Sequence, residues 1–337
     1  MRIYKDEITN RNKTFETLVS LNAIDLKKYL KTKVANRGGA VISDDGYLFY
    51  KGTFPVLLCA HMDTVHTNEP TTIVYANGTI SSPQGIGGDD RCGIYMILEI
   101  LKKYDCSVVF LEDEEVGCIG AKKFARTELC RSLERENKLK YIIEFDRKDK
   151  DHAVFYDCDN PNFTKFITQG YFRKEIGTCS DISYIAPAIG CAAVNLSCGY
   201  YHEHYIDHYV VLDEMETVIK EACGLLDKTS EVEKFNYVKK SYGYGSYGSY
   251  YGRYYDDYDY GYDYGYGSYY GSTRKKYYFK FLLVEEGKQY IKEAYISGNS
   301  AEECFGKFFK QYSSVCYDNV LAHGWFEDEK TTYNSYN

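Results

Sequence analysis

The stretch Phe54-Pro55-Val56-Leu57-Leu58-Cys59-Ala60-His61-Met62-Asp63-Thr64-Val65 decides the fold of this chain. Its first seven residues are almost continuously apolar, which is typical of a strand that is buried on both faces of a sheet. His61 and Asp63 follow at the point where such a strand would end. Because ligands in open α/β sheets bind beyond the carboxyl ends of the strands, the stretch predicts a strand that delivers an imidazole and a carboxylate to a site.

Apolar strands and helical segments alternate throughout the range 1–235. Strands are predicted at 107–111, 141–145 and 192–196, hairpins at 39–51 and 71–80, and helices over much of 1–32, at 94–101, from about 119, and at 213–227. This alternation predicts an α/β fold, in which a mostly parallel or mixed sheet is covered by helices on both faces.

Composition divides the chain into three parts. Residues 1–235 have the pattern of one catalytic-sized domain. Residues 236–273 form a low-complexity linker, since tyrosine makes up nearly half of the range 241–270 and no aliphatic core former lies within it. Residues 274–337 return to ordinary composition and predict a small α+β domain, with a hairpin over 277–296 and a helix at about 300–312.

Charge and apolar patterning exclude several classes of function. The net charge is −8 and no basic run dominates, so neither nucleic acid nor an anionic membrane is expected as a partner. No apolar stretch approaches the roughly 20 residues that span a bilayer, and the first residues show no secretion signal. We therefore expect a cytoplasmic protein of a bacterial or phage-infected cell, whose twelve cysteines are free thiols.

Metal-ligating side chains recur at the predicted strand ends and helix starts. These are His61, Asp89 or Asp90, Glu115 with Glu114, Asp146, and His204. Each has an ordinary interpretation, because Asp-Asp commonly caps a helix and acidic runs commonly form solvated turns. Their joint placement at one edge of one sheet favours a site, and mixed histidine and carboxylate ligands suit Zn²⁺, with Mn²⁺ or Co²⁺ as substitutes.

Three motifs resemble those of the co-catalytic zinc exopeptidase superfamily, which includes peptidase T-like and bacterial leucyl-type aminopeptidases. His61-Met62-Asp63-Thr64-Val65 is similar to H-x-D-T-V. Gly87-Gly88-Asp89-Asp90-Arg91-Cys92-Gly93 resembles G-x-D-D-[KR]-x-G, and the segment 113–121 resembles D-E-E-x-G-x-x-G-A. The resemblance covers about residues 40–227 and implies two zinc ions and hydrolysis of short peptides.

The resemblance also implies a role for each site residue. Asp89 would bridge the two ions, across a cis peptide bond to Asp90. His61 and Asp146 would complete one ion, and Glu115 and His204 the other. Glu114 would act as the general base, and Asp63 would orient the His61 ring.

Some of these assignments leave alternatives open. Glu144 lies two residues before Asp146 and His202 two residues before His204, so either could ligate instead. Asp90, Arg91, Ser180 and Asp181 are candidates for outer-shell or substrate contacts. The segment 147–203 is too short for the lid domain of peptidase T, so a compact form without that lid is expected.

The sequence alone leaves three functions open. An aminopeptidase or di- and tripeptidase cutting at a free N-terminus is the first. An N-acyl amino acid amidohydrolase or deacetylase would use the same motifs. A non-catalytic assembly protein that retains the peptidase fold is the third, since the tyrosine-rich segment and the C-terminal domain suit an unidentified protein partner.

Overall fold

The computed structural model describes residues 1–6, 10–66, 68–240, 275–285, 288–298, 307–308, 311 and 320–326. The chain divides into two compact units, residues 1–242 and 243–337. Within the described part, no helix is both long enough and apolar enough to cross a membrane.

The first unit alternates strands and helices, as the sequence predicts. Its strands are β1 Arg2–Lys5, β2 Ala40–Asp44, β3 Tyr47–Lys51, β4 Phe54–His61, β5 Thr72–Ala76, β6 Thr79–Ser81, β7 Cys106–Leu111, β8 Tyr141–Arg147, β9 His152–Val154, β10 Arg173–Glu175, β11 Ala193–Ser197, β12 Tyr200–Tyr201 and β13 Tyr209–Val211. Its helices are α1 Lys13–Val19, α2 Ala23–Ala35, α3 Gly88–Ile100, α4 Ile119–Ala125, α5 Glu128–Glu136, α6 Pro161–Thr168, α7 Ile182–Ile189 and α8 Leu212–Asp227, followed by a 3-10 turn at Lys228–Glu231.

Eight strands form one mixed sheet in the order β10-β9-β11-β8-β4-β7-β3-β2. The four central strands β11, β8, β4 and β7 are parallel neighbours, whereas β3 runs antiparallel to β7. The carboxyl ends of these parallel strands therefore meet at a single edge of the sheet. The predicted α/β fold is confirmed.

Each face of the main sheet has its own apolar core. In β4, Val56, Leu58 and Ala60 belong to one core, while Leu57 and Cys59 belong to the other. The reason is that successive side chains of a strand point to opposite faces. The first core includes residues of α1, α2, α3, α6 and α8, and the second includes residues of α4, α5 and α7. The near-continuous apolar sequence of β4 follows from this double burial.

A second sheet has the order β1-β5-β6-β13-β12. It contains the predicted hairpin of β5 and β6, which turns at Asn77-Gly78. The prediction of helix over much of residues 1–32 is wrong at its start, because Arg2–Lys5 forms β1 and pairs in parallel with Thr72–Ala76. So short a strand, with a partner so distant in the sequence, leaves no helical or alternating pattern long enough to recognise.

The segment between Asp146 and His204 belongs to the main body of the first unit. It supplies β9, β10 and β11 to the main sheet and the helices α6 and α7 to its faces. No lid domain is present among these described residues, as the sequence predicts. The ten described cysteines are free thiols, also as predicted.

The second unit contains β14 Lys275–Glu285, β15 Lys288–Gly298 and β16 Val320–Phe326, in the antiparallel order β15-β14-β16. The first two strands are the predicted hairpin, and the third was not foreseen. Of the helix predicted at about 300–312, only Lys307, Phe308 and Gln311 are described, and all three are helical. Residues 241–273 of the predicted linker lie outside the described residues, whereas Asn236 and Lys239 form β-bridges with Cys191 and Cys158.

Candidate active site

The carboxyl ends of three adjacent parallel strands deliver the first site residues. His61 is the last residue of β4 and pairs with Leu111, the last residue of β7. The acidic turn from Glu112 to Glu115 follows β7 directly. Asp146 lies near the end of β8, on the other side of β4. The order β8-β4-β7 thus brings three sequence-distant motifs to one point.

Asp89 reaches the same point from the start of α3. The Asp89–Asp90 peptide bond is cis, as the resemblance implies, and the backbone of both residues departs from helical geometry. His204 approaches from the opposite side, on the turn between β12 and β13 of the small sheet. The site therefore lies between the edges of the two sheets of the first unit.

Five of these side chains form two clusters that share Asp89. In the first, His61 Nε2 lies 3.0 Å from Asp89 Oδ1 and 3.5 Å from Asp146 Oδ1. In the second, His204 Nε2 lies 3.4 Å from Asp89 Oδ2 and 3.1 Å from Glu115 Oε2. Each oxygen of the Asp89 carboxylate faces a different cluster, which is the arrangement that a bridging ligand requires.

These distances fit zinc. Nitrogen and oxygen ligands bind zinc at about 2.0–2.1 Å, and at tetrahedral angles such ligand atoms lie about 3.3–3.4 Å apart. The four separations above scatter around that value. In addition, Glu115 Oε1 in the second cluster is buried and has no hydrogen-bond partner, so this oxygen is available to bind an ion.

The charges in the two clusters have the sign that a cation needs. Hydrogen bonds to Asp89 and Glu115 raise the pKa of His204 to about 11. Burial alone would raise the pKa of Asp89, but hydrogen bonds from His204 and His61 outweigh burial and hold it well below its usual range. The three largely buried carboxylates, of Asp89, Glu115 and Asp146, thus attract positive charge, which a pair of divalent ions would supply.

Asp63 connects both halves of the site. Its Oδ1 lies 3.3 Å from His61 Nδ1, on the side of the ring that faces away from Asp89. Its two oxygens also accept the backbone N–H groups of Glu114 and Glu115, each at 3.1 Å. One carboxylate therefore positions the imidazole and the acidic turn together, the kind of support that metal-ligating histidines usually have.

Glu114 lies beside the two clusters without belonging to either. Its backbone carbonyl accepts the N–H groups of Gly117 and Cys118 at 2.8 and 2.9 Å, and Gly117 has a φ of 105° that favours glycine. Burial, together with repulsion from the Asp146 carboxylate, raises the pKa of Glu114 to about 9. A carboxyl whose proton affinity is raised in this way is suited to accept a proton during a reaction.

A network that the sequence did not reveal holds Asp146. The Asn195 side chain accepts the Asp146 N–H at 2.9 Å and donates to the Asp146 carbonyl at 3.0 Å, and the Tyr200 hydroxyl donates to Asp146 Oδ1 at 3.3 Å. Ser180 Oγ donates to Glu144 Oε2 at 2.7 Å and lies 3.0 Å from Asp146 Oδ2. Glu144 is thereby placed behind Asp146, and Asp146 faces His61. An amide inside the otherwise apolar strand 192–196 is the signal by which Asn195 could have been found.

The second aspartate of the pair and the arginine after it face the protein interior. Asp90 accepts the backbone N–H groups of Gly93 at 2.9 Å and His61 at 3.3 Å. Arg91 donates to the carbonyls of Leu18 and Leu21, each at 3.2 Å, and to that of Met62. Arg91 therefore fastens the loop after His61 to the α1–α2 connection, and its guanidinium is occupied by these carbonyls.

The remaining candidates lie nearby with separate partners. His202 pairs with Asp207 at 2.9 Å and lies outside both clusters, so the structure places His204 at the site instead. Asp181 is fully buried before α7, and burial raises its pKa well above the usual range.

The fold and the two clusters of possible metal ligands are those expected of a metallohydrolase. Residues 50–205 match the family described as Peptidase family M28. Over this segment, which is less than half of the chain, the sequence is similar to that peptidase family, and this similarity supports a metallo-exopeptidase.

Solved structures agree with this fold. Aminopeptidase PepT from Bacillus cereus is 15% identical, with a TM-score of 0.50 over 64% of this chain and 97% of that one. A tripeptidase from Staphylococcus aureus is 14% identical, with a TM-score of 0.51 over 65% and 97%. At such identities the likeness establishes the fold alone. No curated protein sequence matches the chain.

Proposed function

We propose that the protein is a zinc-dependent aminopeptidase or small-peptide hydrolase that cuts short peptides at a free N-terminus. The observation that carries the proposal is the pair of three-ligand clusters that share Asp89, with Glu114 beside them and bound to neither. Two zinc ions, when bound, would supply the Lewis acidity that activates water and polarises an amide carbonyl.

Each side chain of the site would have a separate role in hydrolysis. His61, Asp89 and Asp146 would hold one ion, and Asp89, Glu115 and His204 the other. Glu114 would take a proton from the attacking water and return it to the leaving amine, for which its raised pKa suits it. Asp63 would hold the His61 ring and the acidic turn in fixed positions relative to each other.

Apolar side chains near the site support a peptide substrate. Val116, Ile176 and Tyr205 are 67%, 88% and 69% exposed. Each lies close along the chain to Glu115, Ser180 or His204. Exposed apolar residues next to site residues in the chain can contact a ligand, and peptides offer apolar side chains to them.

Adjacent glutamates provide a matched test of the roles. Glu114→Gln should retain both zinc ions and lose about 10²- to 10⁴-fold in kcat, the usual contribution of a general base. Glu115→Gln should lose zinc as well as hydrolysis, because its carboxylate lies in the second cluster. Zinc is measured by elemental analysis and hydrolysis with aminoacyl p-nitroanilides. A Glu114→Gln protein with unchanged kcat would refute the assignment of the base.

A substrate comparison decides the type of hydrolase. Dipeptides and tripeptides with free N-termini should be cleaved, whereas N-acyl amino acids should not, and a chelator should abolish cleavage. Preference for N-acyl amino acids would identify a deacylase on the same residues. A protein that neither binds zinc nor cleaves any of these compounds would indicate a non-catalytic role.

A further inference from the structure

The two oxygens of the Asp146 carboxylate have different surroundings. Oδ1 belongs to the first cluster, where it lies 3.5 Å from His61 Nε2. It also accepts the Tyr200 hydroxyl at 3.3 Å, which leaves a second lone pair for an ion. Oδ2 lies 3.0 Å from the hydroxyl oxygen of Ser180. One oxygen of Asp146 is therefore placed to bind an ion beside His61, while the other is engaged by a serine.

Ser180 is held in place by the helix that follows it. The residue is 1% exposed and lies two positions before α7. Its carbonyl accepts the Ser183 N–H at 2.9 Å, and its own N–H donates to Ser183 Oγ at 3.2 Å. Ile185 and Ile189 of α7 are buried in the second core of the main sheet. The position of the Ser180 hydroxyl is thus set by a packed helix.

Two buried side chains hold the Ser180 hydroxyl from its other sides. Its oxygen lies 2.7 Å from Glu144 Oε2, and the Asn195 amide donates to it at 3.4 Å. Glu144 and Asn195 are each 1% exposed. Leaving a buried polar group without its partner costs about 1–3 kcal/mol, so these contacts oppose any movement of Ser180 away from Asp146.

The carboxylate of the second cluster is not restrained in this way. Glu115 Oε2 lies 3.1 Å from His204 Nε2, and Oε1 has no hydrogen-bond partner among the described residues. Both oxygens of Glu115 are therefore available to one ion. With the Asp89 carboxylate shared, the first cluster offers three protein donor atoms and the second offers four. Catalytic zinc sites typically have three protein ligands and leave one position for water or substrate.

We propose that Ser180 is a positioning residue that keeps one coordination position open on the zinc ion held by His61 and Asp146. It does so by engaging Asp146 Oδ2. The inference rests on the proposed function, in which that position receives water or the peptide. Without the Ser180 hydroxyl, the Asp146 carboxylate is free to turn and offer both oxygens to the same ion. An oxygen of Asp146 would then compete with water and peptide, and hydrolysis would slow.

Cobalt-substituted protein tests the coordination independently of activity. Co²⁺ suits the same histidine and carboxylate ligands, and its visible absorption weakens as the number of its ligands rises. The full chain is stripped of metal with a chelator and loaded with two equivalents of Co²⁺. Ser180→Ala, which adds no atom to the buried site, should retain both ions by elemental analysis and weaken the absorption of one of them. Unchanged absorption, or loss of an ion, would overturn the proposal.

Two further variants show whether the hydroxyl itself is responsible. Ser180→Thr retains a hydroxyl and should keep the wild-type absorption. Ser107→Ala removes a hydroxyl that is 4% exposed and accepts the Gly52 N–H at 3.1 Å, near the start of β7 and thus at the opposite end of that strand from the site. It should lower stability without changing the absorption. If Ser107→Ala alters the absorption as Ser180→Ala does, general loosening is the cause and the proposal is wrong.

Hydrolysis by the zinc-loaded protein tests the consequence for the reaction. Ser180→Ala should lower kcat about 10- to 100-fold while two zinc ions stay bound, which is the usual effect of losing a group that supports a metal ligand. Wild-type kcat in a Ser180→Ala protein with altered cobalt absorption would overturn the effect on hydrolysis. A wild-type zinc enzyme that cleaves no peptide would refute the proposed function instead, and the cobalt absorption alone would then decide the role of Ser180.

Discussion

Replacing Asp63 by asparagine tests how the two halves of the site are held together. Asp63 accepts two backbone N–H groups, from Glu114 and Glu115, and its Oδ1 lies 3.3 Å from His61 Nδ1. Asparagine has the same shape, but one of the two oxygens becomes an amide group that only donates. At least one of the two backbone N–H groups must therefore lose its acceptor, and the charge behind the His61 ring is lost.

The size of the effect follows from these contacts. A buried donor left without a partner costs about 1–3 kcal/mol, so the free energy of unfolding should fall by about that amount. Loss of the group that supports a ligating histidine typically weakens metal binding about 10- to 100-fold. We expect Asp63→Asn to show both effects, together with a lower kcat because Glu114 is displaced.

The assay combines three measurements on one variant. Zinc affinity is measured by competition with a chelator, stability by urea denaturation, and kcat with an aminoacyl p-nitroanilide. Asp113→Asn is the matched control, since Asp113 is an exposed neighbour whose left-handed backbone asparagine tolerates. Unchanged zinc affinity in Asp63→Asn would refute the role of Asp63 as the link between the histidine and the acidic turn.

Two further predictions concern stability. A Cβ at Gly93 would lie 2.0 Å from the carbonyl oxygen of Phe145, a backbone atom of β8, so Gly93→Ala should lower the free energy of unfolding by about 1–3 kcal/mol. The control is Gly224→Ala, which has open space around the new methyl group and should leave the free energy of unfolding unchanged. Equal urea midpoints for the two variants would contradict this prediction. Hydrogen bonds from Arg11 outweigh burial and hold the pKa of Glu16 in the folded protein below its usual value of 4.5. The charged Glu16 side chain therefore stabilises the fold above pH 4.5, and this stabilisation is lost as the pH falls through the lower pKa of the folded state. The stability difference between wild type and Glu16→Gln, measured in urea, should therefore be largest near neutral pH and shrink in acid, and a difference that is independent of pH would count against it.

The sequence predicted most of the strands because burial on both faces leaves a strong local signal. The apolar stretch that ends at His61 is the clearest case, since both of its faces meet helices. The ligand assignments were reached through motifs, and the structure brings the predicted residues together as two clusters. Glu144 and His202 remained open alternatives because spacing alone does not tell which way a side chain turns.

The features that the sequence did not predict depend on distant partners. The strand Arg2–Lys5 is defined by pairing with Thr72–Ala76, and no local pattern encodes that pairing. The role of Arg91 depends on the carbonyls of Leu18 and Leu21, which are distant in the sequence, and any residue can supply a carbonyl. Asn195 was visible as an amide in an apolar strand, but its partner Asp146 became known only from the fold.

The contacts of Arg91 join the recognisable peptidase segment to residues that lie outside it. The family match spans residues 50–205, but side chains within it bind residues outside it. Arg91 donates to the carbonyls of Leu18 and Leu21, which precede the matched segment, and Tyr104 donates to Asp227, which follows the segment. A fragment cut at the edges of the match would bury a guanidinium with two of its acceptors missing, at a cost of about 1–3 kcal/mol or more. Fragments meant to isolate the catalytic chemistry therefore need the flanking segments on both sides, and the α1–α2 connection in particular, because Arg91 joins it to the loop that follows His61.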